Sequence, residues 1–134
     1  MAAGREGMEA RLDRVRGAVL DLARLVDENL RSVMLRMTTE ESLAAGLELR
    51  PTQEAELAVM DRCMELLGLQ APLARDLRWS MAMIRVGKDY ERIQGLVQAL
   101  LTRVVVLTQT LLAEILHAMT AVMREVLKLH ALLL

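Results

Sequence analysis

The sequence contains no phenylalanine, one tryptophan and one tyrosine. Holding single-stranded nucleic acid requires exposed rings on which bases can stack, and this chain has almost none to offer. A lone cysteine, Cys63, excludes an intramolecular disulfide, and the opening MAAGREGMEA lacks the apolar run of a secretory signal. Both features point to the cytoplasm. Charge of one sign is missing too: the formal net charge is −1, and fifteen of the seventeen basic residues are arginines spread along the chain. No diffuse basic field draws it to nucleic acid or anionic lipid. There is no glycine-rich phosphate loop, and no Gly-x-Ser-x-Gly elbow surrounds Ser80. Cys63 has apolar neighbours, so nucleophilic catalysis is not expected. An enzyme is not the reading these residues favour.

What is present is helical spacing over nearly the whole length. Leu12, Val15, Val19, Leu22, Val26, Asn29 and Val33 recur in steps of three and four, the 3.5-residue period of a packed helical seam. This predicts one long helix over residues 5–37, with Asn29 as a register-setting polar contact. Thr38 and Thr39 before Glu40 and Glu41 predict a short capped helix to Leu47. The only two prolines, Pro51 and Pro72, fall where helical patterns begin. They predict helices from Pro51 to Leu67, closed by Gly68, and from Pro72 along Leu77, Met81, Ile84, Ile93, Val97 and Leu100. Beyond the β-branched run of Val104, Val105 and Val106, a last stripe runs through Leu112, Ile115, Met119, Val122, Val126 and Leu129. The apolar stretch from Leu96 to Leu116 is broken by Arg103, Gln109 and Glu114. A membrane span needs about 20 predominantly apolar residues with few or no charges, so a buried helix is expected.

Polar chemistry concentrates in residues 88–95, KDYERIQG, set between apolar stretches. Lys88 can reach Glu91, and Asp89 can reach Arg85. Bundles can hold metals with inward carboxylates, and Glu9 with Asp13 and Asp61 with Glu65 have i, i+4 spacing. A solvated face explains such pairs as well. Glu114 and His117 supply a Glu-x-x-His spacing once, half of a di-iron arrangement. Gly87 and Gly95 fit close helix packing, and the ten methionines fit adaptable core filler.

From Cys63 to Leu100 the sequence CMELLGLQAPLARDLRWSMAMIRVGKDYERIQGLVQAL resembles the repeat of the PhoU family. Gln70, Pro72, Ala74, Asp76, Leu77, Arg78, Asp89, Glu91, Arg92 and Ile93 follow the family's order and spacing, and the resemblance extends over about residues 8 to 100. It implies an all-α fold, a PhoU-like antiparallel helical bundle of one three-helix repeat (residues 1–100) plus an extra C-terminal helix (residues 101–134). It also implies a cytoplasmic regulator that restrains the phosphate ABC transporter, through its ATPase, and the sensor histidine kinase of the phosphate regulon. The family's metal-cluster residues correspond here to Asp89, Glu91 and Glu56, which would take a divalent metal or iron. The motif is incomplete because Gly95 stands where the family has an aspartate and Gln94 where it has glycine. Too few anionic oxygens remain for a tight cluster. Asp76, Arg78 and Arg92 are the expected partner-binding residues. The apolar last helix implies a homodimer in which each chain donates that helix. Two other readings compete with this one. The chain can be a non-catalytic adaptor that has lost the metal site. The opening LDRVRGAVLDLARLV superficially resembles all-helical chorismate mutases, but the only lysines, Lys88 and Lys128, are not where that family places one.

Overall fold

The computed structural model of the chain describes residues 2–38, 48–68, 74–107 and 113–132. They form four α-helices: α1 (Ala2–Thr38), α2 (Gln53–Gly68), α3 (Ala74–Leu107) and α4 (Ala113–Ala131). Among the described residues there is no strand. The protein is all-helical, and the three consecutive valines belong to α3. No helix among the described residues is long and apolar enough to cross a membrane. The short helix expected before Leu47 and the helix opening expected at Pro72 lie outside the described residues.

Two compact units divide the chain: Met1–Ala23 with Pro51–Arg92, and Arg24–Arg50 with Ile93–Leu134. The step expected at residue 100 lies inside α3, which continues to Leu107. The first unit contains α2 and the second contains α4.

The start of α2 shows why its boundary differs from expectation. Proline is pre-set for a first helical turn, but Thr52 follows it and caps better. The Thr52 carbonyl accepts the Glu56 N–H at 2.9 Å, and its hydroxyl donates to Glu56 Oε1 at 2.5 Å. Helix geometry therefore begins at Gln53, with Pro51 outside it.

In α1 the expected seam is the buried one. Val15, Leu22, Val26, Asn29 and Val33 are at most 2 % exposed, while Leu12 and Val19 are half-buried. In α3 the seam differs from the apolar stripe in the sequence. Leu77, Met81 and Ile93 are exposed, and the inward positions are Asp76, Ser80, Met83, Gly87, Tyr90, Gln94, Val97 and Leu101. These positions alternate steps of four and three without a break, so α3 also packs on a 3.5-residue seam. Met83 apart, its first half is built of small and polar side chains.

That composition permits close approach in the first unit. A Cβ added to Gly87 would lie 3.1 Å from Val59 Cγ1 of α2, whereas one added to Gly95 would meet nothing within 4 Å. Close packing thus explains the first glycine and not the second. Beside Gly87, the buried Cys63 thiol lies 3.8 Å from the Ser80 carbonyl, and burial pushes its pKa up. A protonated, enclosed thiol is inert. Arg16 of α1 lies over the Trp79 ring at 5.5 Å, within cation–π range.

The second unit has a conventional apolar core. Leu30, Val33 and Met37 of α1 meet Val97 and Leu101 of α3 and Met123 and Leu127 of α4. Each such burial contributes about 1.5–3 kcal/mol relative to exposure. Asn29 is the polar fixture at its edge. Its Nδ2 donates to the Arg50 carbonyl at 2.9 Å and to Gln94 Oε1 at 3.0 Å, and its Oδ1 accepts the Arg50 N–H at 2.8 Å. The amide pairs with a whole backbone residue, which ties the segment before α2 to α1 and to α3. Asp27 does the same for α4: its carboxylate accepts Arg31 Nε at 2.6 Å and lies 3.0 Å from His130 Nδ1.

The α4 stripe foreseen from sequence lies beside its seam. Ile115, Val122, Val126 and Leu129 are 45–65 % exposed, whereas Thr120, Met123 and Leu127 are buried.

Candidate functional site

Because α3 turns its small residues inward, its arginines are left on the outer surface of the first unit. Arg78, Arg85 and Arg92 are exposed and recur every seven residues. Seven residues advance the helix about 10.5 Å and nearly restore its rotation, so the three guanidinium groups form one row. Leu77 and Met81, 44 % and 48 % exposed, supply apolar surface among them.

Of the expected partner-binding residues, Arg78 and Arg92 share this face. Asp76 does not: it is 6 % exposed in the first turn of α3, and its carbonyl accepts the Ser80 hydroxyl at 2.8 Å. Its carboxylate sits 3.6 Å from Arg75 Nε, and an acid in a first turn also suits the helix dipole. Those roles belong to the fold. Arg85 completes the row and was missed, because the sequence had offered it as a partner for Asp89. The heptad spacing of the arginines was the available signal.

Beside the arginine row lies a groove of about 400 Å³ between α2 and α3. From α2 it is lined by Gln53, Glu56, Leu57, Val59 and Met60, and from α3 by Ile84, Gly87, Lys88 and Glu91. Val59 apart, both sets have i, i+3, i+4, i+7 spacing, one face of each helix. Lys88 Nζ donates to Glu91 Oε2 at 2.5 Å. The Glu91 hydrogen bond and charge raise the lysine pKa, and the charge of Glu56 adds to the effect. Lys88 is therefore a fixed cation at neutral pH.

The groove brings together Glu56 and Glu91 of the expected metal ligands, and leaves Asp89 out. Neighbours two apart on a helix point about 200° apart, so Asp89 and Glu91 cannot both face the groove. Among the described residues no group of three or more His, Cys, Asp or Glu side chains is placed to hold a metal ion. The Lys88 ammonium, already bonded to Glu91, leaves too little anionic charge there to replace the hydration of a divalent ion. These residues do not fit the multi-carboxylate cluster that the PhoU resemblance implied. His117 is exposed and His130 is engaged by Asp27.

Compared with protein-family profiles, characterised proteins and solved structures, the chain matches none.

Proposed function

We propose that the chain is a non-catalytic helical regulator of the PhoU type, acting in the cytoplasm on phosphate uptake and signalling through contact with partner proteins. The observation that carries this reading is the outward row of Arg78, Arg85 and Arg92, interleaved with Leu77 and Met81. It grows from the same Asp76-Leu77-Arg78 and Glu91-Arg92-Ile93 segments that resemble the family repeat. Arginine with exposed aliphatic surface is the composition of an interface centre, and a row of this kind suits an acidic partner surface. The partners of this reading are the ATPase of the phosphate transporter and the sensor histidine kinase. Regulation then needs no metal cluster, in keeping with the separation of Asp89 from Glu56 and Glu91.

Capture of each purified partner on immobilised chain tests the proposal. Capture should fall at least tenfold with Arg78→Glu combined with Arg92→Glu, while helix content stays unchanged. Capture of neither partner by the unaltered chain would refute the phosphate role. The adaptor reading without that role would then stand, favoured by the same incomplete set of acids.

The homodimer belongs to this proposal as well. Ile115, Val122, Val126 and Leu129 keep a 3.5-residue seam on the exposed side of α4, the pattern that packs against another helix. Two copies pairing along it would cover the stripe, and a monomeric mass by light scattering at micromolar concentration would overturn that pairing.

A further inference from the structure

The groove between α2 and α3 is polar at one end and apolar at the other. Gln53 and Glu56 on α2 and Lys88 and Glu91 on α3 form the polar end, while Met60 and Ile84 lie at the apolar end. The helices run antiparallel here, since Val59 faces Gly87 and Cys63 faces Ser80. Seven residues separate Gln53 from Met60 and Ile84 from Glu91, so the groove is about 10 Å long on both walls. Its volume lies within the range of small-molecule sites.

Charge decides which ligand the polar end takes. Among the lining side chains, two carboxylates and one ammonium leave a net −1. Lys88 is bonded to Glu91, and Glu56 receives one hydrogen bond, from the Thr52 hydroxyl. A carboxylate has about four acceptor positions, so Glu56 keeps free lone pairs at the mouth of the groove. An incoming anion would raise the local charge to −2. A bare divalent ion would find two carboxylates at most, with an ammonium between them. A singly charged organic ammonium would bring the end to neutrality and could donate to Glu56 and to the Gln53 carbonyl oxygen together. Its apolar body would then cover Met60 and Ile84, which are half-buried and line the groove.

We propose that this groove is a binding site for a small primary ammonium compound with an apolar body, up to about 10 Å long in all. The head is held by Glu56 and Gln53, and the tail lies along Met60 and Ile84. Gly87 keeps the floor open, because a side chain there would meet Val59. This site is separate from the arginine row, so it does not depend on the partner reading.

Titration with ethyl-, butyl-, hexyl- and octylamine, followed by amide chemical shifts of the full chain, tests it. Shifts should be confined to residues 53–60 and 84–91. Affinity should rise about fourfold per added methylene and level off when the tail outgrows the groove. Matched alkyl alcohols and carboxylates should bind at least tenfold more weakly. Glu56→Gln, which keeps the side-chain shape, should weaken hexylamine about tenfold and abolish its preference over hexanol. Ile84→Ala should flatten the chain-length dependence and keep the preference for amine. Equal binding of carboxylates, or no localised shift at millimolar amine, would overturn the proposal. So would Mn²⁺ line broadening confined to Glu56 and Glu91 in a protein that ignores amines, which would return the groove to metal.

Discussion

The two long helices pack on the same period with opposite materials. In α1 the inward positions are Val15, Leu22, Val26 and Val33, large enough to fill a core by themselves. In the first half of α3 they are Asp76, Ser80, Met83 and Gly87. An apolar seam gains its stability from burial, whereas a small-residue seam gains it from how closely the neighbouring helix can approach. The second choice also frees the outer surface, because the larger residues of α3 need not serve the core. Leu77, Met81 and the arginine row are available to a partner for that reason.

This contrast predicts graded responses to mutation. Leu22→Ala in α1 should be costliest, about 3 kcal/mol from lost burial and the cavity left behind, read from the urea midpoint. Met81→Ala on the outer face of α3 should cost less than a third of that. Next is Asn29→Ala, which strands the Arg50 N–H and leaves Gln94 without its donor. It should cost about 2 kcal/mol, and a double-mutant cycle with Gln94→Ala should return a coupling energy well above zero. The glycines sharpen the comparison further. In an open helix position, alanine gains up to about 1 kcal/mol over glycine. Gly95→Ala should show that gain, and Gly87→Ala should not, because Val59 must move.

The smallest effect at neutral pH involves Asp27 and appears on acidification. Burial alone would raise its carboxyl pKa, but the hydrogen bonds from Arg31 and His130, with their charges, bring it below the usual value. A depressed carboxyl stabilises the fold above the unfolded pKa of about 3.9 and loses that contribution as pH falls through the lower, folded value. Unfolding free energy should therefore drop along a steeper acid limb in the unaltered chain than in Asp27→Asn.

The α1 seam, the polar role of Asn29, the Lys88–Glu91 pair and the all-helical class are legible in the amino-acid sequence, because they follow from residue types whose burial and pairing preferences are strong. The α3 seam is not, because serine, glycine, aspartate and glutamine carry no apolar signal and Leu77 and Met81 beside them do. The same one-position rotation misdirects the α4 stripe, where Thr120 takes an inward place and Val122 an outward one. At the site, Arg78 and Arg92 are readable as exposed residues, but Asp76 is not readable as buried. Asp89 and Glu91 are neighbours in the motif but point about 200° apart on α3, because each residue turns the helix by about 100°. Gln94 has its reason in three dimensions: it completes the hydrogen bonding of Asn29.

Thiol labelling along α3 in a Cys63→Ala background, with single cysteines at positions 77, 80, 81 and 90, tests the small-residue seam most directly. If small residues form the seam, Leu77→Cys and Met81→Cys should react at rates close to a free thiol. Ser80→Cys and Tyr90→Cys should then react at least a hundredfold more slowly under native conditions. Fast labelling at 80 and 90 with protection at 77 and 81 would place the apolar stripe inside, and would remove both the close α2–α3 approach and the outward face on which the proposed function rests.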